Sequence, residues 1–317
     1  MTRGPEARMG TRSRRTIRRS AIAIIVAAGL AFPMFAKAED PPLVEWSALL
    51  PGLTEGYDPT SENECKKGHE NCVHAVIREM TKRFDRLGCD FDAAFSLAYL
   101  RTTEEYHRFW HEDRFAEPNW LNHYDAVFGE YYFRAIDDWH NGNQSAVPEA
   151  WRIAFDSSDK KSVSGYGSLF LGMNAHINRD LPYVLAGIGM VSPDGTSRKG
   201  DHDTVNQFLN RVADDLIPEL ARRFDPTIDD NSIEQTTLED FASFQAIPGW
   251  REMAWRNAEA LVDAPDAAAR ALVEQNIETY AASVAKTIKA ATSYGFLSPN
   301  GPNSSARDAY CAAHYND

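Results

Sequence analysis

The chain has 317 residues, 43% apolar and 11% aromatic, with a formal net charge of −13. That composition excludes a disordered chain and suffices for one large core or two small ones. The acid excess argues against a duplex nucleic-acid binder, because carboxylates repel phosphates.

Residues 1–38 read as an export leader. Basic residues from Arg8 to Arg19 precede an apolar run at 21–32, and Ala36-Lys37-Ala38 fits a small-residue cleavage site before Glu39. The apolar run is shorter than the ~20 residues that span a bilayer. SRRTIRR, Ser13 to Arg19, resembles a twin-arginine export signal, and a general-secretory signal rich in arginine remains open beside it. The leader holds eight Lys/Arg and one Glu, so residues 39–317 carry a net −20. We expect a protein secreted or held outside the cytoplasmic membrane, with no membrane span after the leader.

All four cysteines lie beyond the leader, an even number in a compartment that favours disulfides. We expect Cys65–Cys72 to close a small loop and Cys89–Cys311 to pin the C-terminus to an early helix. The rival is a metal site of Cys65, His69, Cys72 and His74, whose spacing is not a usual zinc spacing.

No run of alternating β-branched residues suggests a strand, while helical periodicity recurs along the chain. Helices are expected at 69–87, 91–111, 118–140 (begun by Pro118), 148–156, 165–190, 201–224 (interrupted by Pro218), 237–245, 248–263 and 265–292. Residues 298–305, SPNGPNSS, read as loop. With no flexible linker and no repeat, residues 39–317 form one all-α domain of about eight helices.

The segment 165–190, GYGSLFLGMNAHINRDLPYVLAGIGM, is apolar on nearly every face, which marks a central helix. Asn174, His176, Asn178, Arg179 and Asp180 interrupt it, and buried polar groups need partners. His176 and Asp180 stand one turn apart, a spacing that suits two metal ligands or a histidine oriented by a carboxylate. Pro182 leaves a carbonyl near Asn178 without its helical donor. Asp125 continues the apolar stripe Phe128, Tyr132, Ile136, Trp139 by one turn, and His202 lies one turn before Val205, Leu209 and Val212; both should face the core. Asp201 or Asp203 would cap that helix. Glu104, His107 and His111 share another face, but E-x-x-H occurs only here and the face is dense in charge, so it reads as solvated surface. No G-x-S-x-G, H-E-x-x-H, P-loop or dinucleotide fingerprint occurs.

The blocks LAYLRTTEEY (from Leu97), HYDAVFGEYYFRAIDDW (from His123), VPEAWRIAF (from Val147), LFLGMNAHINRDLPYVL (from Leu169) and REMAWRNAEAL (from Arg251) resemble the bacterial DUF5995 family. The resemblance implies a helical domain and no known reaction. Its motif falls on Asn174, His176, Asn178, Asp180, Pro182 and Asp125. His-x-x-x-Asp in a buried helix is also similar to part of the zinc-dependent phospholipase C and single-strand nuclease family. The chain departs from it at Pro182 and Ala186, where further histidines would stand, and at Glu39, where a metal-binding Trp would begin the mature chain.

The reading these residues favour is a metal-dependent hydrolase of ester or phosphoester substrates, small or lipid-like. Asp125, His176, Asp180 and His202 would hold zinc or iron and lower the pKa of a bound water. Asn174 and Asn178 would orient substrate or ligands, and Arg179 would bind an anionic group or simply neutralise Asp180. Two rivals stand beside it. One is a non-enzymatic binding protein for a small apolar molecule, and the other a buried polar network that fixes helix register.

Overall fold

In the computed structural model, the residues described from 56 onward are 56–229, 246–298 and 300–317. The leader and the helix expected at 237–245 lie outside them. Ala38–Asp317 forms a single compact unit. Among the described residues there is no strand, and two isolated bridges, Val163 with Ser293 and Val191 with Ser197, tie loops together.

Helix α1 (Glu70–Leu87) packs on α2 (Ala93–Trp110) and on α3 (Pro118–His140). Pro118 opens α3, where its missing N–H costs nothing. The next helix is α4 (Glu149–Asp159). A continuous rod follows, made of α5 (Gly165–Asn174), a π-helical turn at Ala175–Asp180, and α6 (Leu181–Ile188). Then come α7 (Lys199–Thr204), α8 (Asn206–Arg223), α9 (Ala246–Val262), α10 (Ala267–Thr292, capped by Asp266) and α11 (Ser305–His314).

There are thus more helical segments than the eight or so expected. The 165–190 helix is divided by its π turn, and 201–224 divides at Val205. The last helix follows the SPNGPNSS loop, whose turn residues conceal it from periodicity. Pro218 sits within α8 without ending it. Pro248 lies in the first turn of α9, where a proline is tolerated.

The π turn has a covalent cause. Pro182 has no N–H to give to the Asn178 carbonyl, and the Leu181 N–H bonds the His176 carbonyl, five residues back. The rod is buried along almost its whole length. Its glycines set how closely neighbours approach: a Cβ on Gly172 would lie 2.4 Å from Phe95 Cγ on α2, and one on Gly167 2.3 Å from Thr292 Oγ1 on α10.

Both disulfides form as the sequence suggests, Cys65–Cys72 and Cys89–Cys311, and no cysteine is free. Arg307 on α11 reinforces the second: it donates to the Cys89 carbonyl at 2.6 Å and lies 3.8 Å from the Phe91 ring centroid. No helix among the described residues is long and apolar enough to cross a membrane.

Candidate functional site

A cavity of about 120 Å³ lies among α2, α3, α8 and the π turn. An engineered apolar cavity of roughly this size, ~150 Å³, accepts benzene or xenon. Its wall is mostly aromatic and aliphatic, with Phe95, Phe128, Ile177, Phe208 and Leu209 among its members. Polar groups interrupt that wall, among them Tyr99, Asp125, His176 and Arg251, and the first three stand apart from the rest. Tyr99 and His176 are buried and Asp125 is half-buried, and each has a buried side-chain atom with no hydrogen-bond partner within the protein: Tyr99 Oη, Asp125 Oδ2 and His176 Nε2. Unpaired buried polar atoms are uncommon, and three on one apolar wall call for an explanation.

Helix geometry delivers each group. Phe95, Tyr99 and Thr103 rise along one face of α2 at i, i+4 spacing, and Asp125 and Phe128 share a face of α3. The π turn carries His176, whose ring lies flat on Phe128 with centroids 3.5 Å apart. Tyr99 approaches the same imidazole, at 4.5 Å between centroids.

Burial governs the protonation states. It pushes the Asp125 carboxyl up to about 8 against the opposing hydrogen bond from Thr103, so Asp125 is a neutral acid and hydrogen-bond donor at pH 7. Burial lowers His176 below the usual imidazole value, with the Asp180 carboxylate opposing. The Tyr99 hydroxyl is raised by burial and by Asp125. His176 Nδ1 lies 3.2 Å from Asp180 Oδ2, so a neutral ring donates there and presents the Nε2 lone pair as acceptor. Asp180 is itself fixed by Trp151 Nε1 at 2.8 Å and by Arg179 Nη1 at 3.1 Å.

Of the four expected metal ligands, Asp125 and His176 reach the cavity wall. Asp180 stands behind His176, its oxygens engaged with Trp151, Arg179 and the imidazole. His202 is closed off on both nitrogens. Nε2 donates to the Arg251 carbonyl at 3.2 Å, and Nδ1 faces the Tyr124 hydroxyl and Arg251 Nη2, each at 3.3 Å. Burial and the Arg251 cation hold His202 well below its ordinary value. Among the described residues, no three of these four bring ligand atoms within 4.8 Å of one another.

The residues expected to orient substrate point elsewhere. Asn178 donates to Asn174 Oδ1, and Asn174 donates to the Ala281 carbonyl, each at 2.9 Å, which ties the rod to α10. Arg179 donates to Glu278 at 2.8 Å and lies over Tyr183. None of the three lines the cavity. Asp201 caps a helix other than its own, accepting from the N–H groups of Ala116 and Glu117 before α3. The alternative Cys65/Cys72 metal set is excluded by the disulfide.

Tyr99 was not singled out in the sequence. Its position four residues before Thr103 and after Phe95 was a usable signal, but one shared with any core tyrosine. Arg251, also on the wall, falls in an amphipathic helix where an arginine ordinarily reads as solvated.

The fold defines an all-α protein with a polar-studded cavity between its helices. The family model described as a family of unknown function, DUF5995, matches residues 73–291, and the chain belongs to that family. No curated protein and no solved structure matches.

Proposed function

We propose that the chain binds a small, largely apolar molecule in this cavity and holds its one polar end with Asp125, Tyr99 and His176. One observation carries the reading: three of the buried polar atoms that lack protein partners belong to residues on this one apolar wall. A neutral carboxyl donor, a neutral imidazole acceptor and a phenol suit a hydroxyl, carbonyl or ester group better than a full charge. Removal of residues 1–38 on export would place this binding outside the cytoplasmic membrane.

The test compares phenol with toluene by calorimetry on the full-length chain. Phenol should bind saturably and more tightly than toluene, and Asp125→Leu should abolish the difference. Absence of binding by both probes, or equal affinity in the unaltered chain, would sink the reading.

A second reading rests on the same imidazole. Asp180, His176 and a neutral Asp125 supply a base and an acid within one cavity, the arrangement that metal-free ester hydrolysis requires. Here water would give its proton to His176 Nε2 as its oxygen attacks the ester carbonyl, and Asp125 would protonate the leaving alkoxide. Hydrolysis of p-nitrophenyl acetate lost in His176→Gln supports it, and unchanged turnover in that variant counts against it.

A further inference from the structure

Outside the cavity, ligand atoms of Glu70, His74 and His107 from two helices converge, and His111 approaches the same Glu70 carboxylate from beside them. Glu70 and His74 stand one turn apart on α1, and His107 and His111 one turn apart on α2. The Nε2 atoms of His107, His111 and His74 lie 2.9, 3.1 and 4.0 Å from the same Glu70 oxygen. The rings of His74 and His107 are 4.6 Å apart between centroids, and those of His107 and His111 are 5.0 Å apart. One ligand atom from each of Glu70, His74 and His107 falls within 4.8 Å of the others. None of the four residues lines the apolar cavity.

We propose that this cluster is a binding site for a divalent transition-metal ion of the zinc–copper class, held by three imidazoles and one carboxylate. Two pairs at i, i+4 spacing on adjacent helices supply four donors, the number a tetrahedral zinc site takes. Imidazole selects zinc, copper and nickel over magnesium and calcium. A purely ionic cluster accounts less well for the arrangement, because three protonated rings around one oxygen would repel one another, whereas neutral rings offer lone pairs to a shared cation. The Cys65–Cys72 disulfide anchors the first turn of α1, so two of the ligands sit on backbone already fixed. The side chains are 20 to 54% exposed, which leaves them free to close on an ion and leaves the ion a path from solvent.

The sequence placed His107 and His111 with Glu104. The structure turns Glu104 to Arg101, at 2.7 Å, and brings the carboxylate from the neighbouring helix instead.

The test uses the full-length chain without a histidine tag, stripped with chelator and titrated calorimetrically with Zn²⁺ and with Cu²⁺. One equivalent of each should bind per chain. His74→Ala and His107→Ala should each weaken binding about tenfold or more, while His140→Ala leaves it unchanged. Electron paramagnetic resonance of the Cu²⁺ form should show three imidazole nitrogens in the unaltered chain and two in either variant. Circular dichroism confirms that the variants are folded, and Glu70→Gln serves as a third variant should either histidine change disturb α1 or α2. Absence of saturable binding, or equal affinity and equal nitrogen count in folded variants, would overturn the proposal.

Discussion

The imidazole of His176 lies on the ring of Phe128 with centroids 3.5 Å apart and planes inclined by only 6°. This contact, together with the Nδ1 hydrogen bond to Asp180, fixes where Nε2 is directed. One residue on α3 and one in the π turn thereby set the orientation of the cavity's acceptor.

Because His176 is held on two sides, its removal should be costly. His176→Ala empties a packed volume and strips Asp180 of a donor. A loss of about 2–4 kcal/mol in urea unfolding is expected. A change within ~0.5 kcal/mol would show that the ring contributes little to packing.

Asp125 should impose a pH dependence on stability. Its folded-state value is about 8, above the ~3.9 of an unfolded aspartate, so the folded state binds the extra proton between those values. The stability associated with this proton is fully present below about pH 4. It is lost as pH rises to about 8, at up to ~1.4 kcal/mol per pH unit, and the loss then levels off. Asp125→Asn removes the titration. Melting temperatures of the two proteins should therefore diverge in favour of the variant from pH 4 to 8, whereas parallel profiles would show that Asp125 does not titrate in this range.

The two disulfides should differ in weight. Cys89–Cys311 closes a loop with a sequence separation of 222, against 7 for Cys65–Cys72. Loop-closure entropy assigns about 5 kcal/mol to the long loop and about 2 to the short one. Paired Cys→Ser variants, compared by denaturant unfolding, should follow that order.

Gly172→Ala should destabilise by about 1–3 kcal/mol, because the new methyl meets the Phe95 ring where α5 crosses α2. Gly200→Ala, whose added Cβ meets nothing within 4 Å, is the control and should be neutral or stabilising. A similar melting temperature for both variants would remove the case for close approach at Gly172.

If residues 1–38 form a cleaved leader, protein recovered from outside the cytoplasm should begin at Glu39 on N-terminal sequencing. Recovery only of uncleaved chain would contradict the leader assignment.

Local chemistry made much of this legible along the chain. Helical periodicity located most of the helices, Pro118 marked the start of α3, and the even cysteine set matched the two bridges that form. Asp125 was recognisable as inward-facing because it continues an apolar stripe on its helix, and His176 because its helix is apolar on nearly every face. Side-chain burial on one helix follows from spacing alone, so this much needed no knowledge of neighbours.

Which inward-facing groups meet is a different property, set by how separate helices pack. Pro182 made a disturbance near Asn178 predictable, but only the assembled rod shows it as a π turn that sends His176 to the cavity and Asn174 and Asn178 to α10. His202 faces inward as expected, yet Arg251, 49 residues later, occupies both sides of its ring. Glu70 joins His107 and His111 across two helices, a relation that no periodicity within either could carry. Spacing along a helix determines direction, whereas convergence depends on long-range packing contacts, and those exist only once the chain has folded.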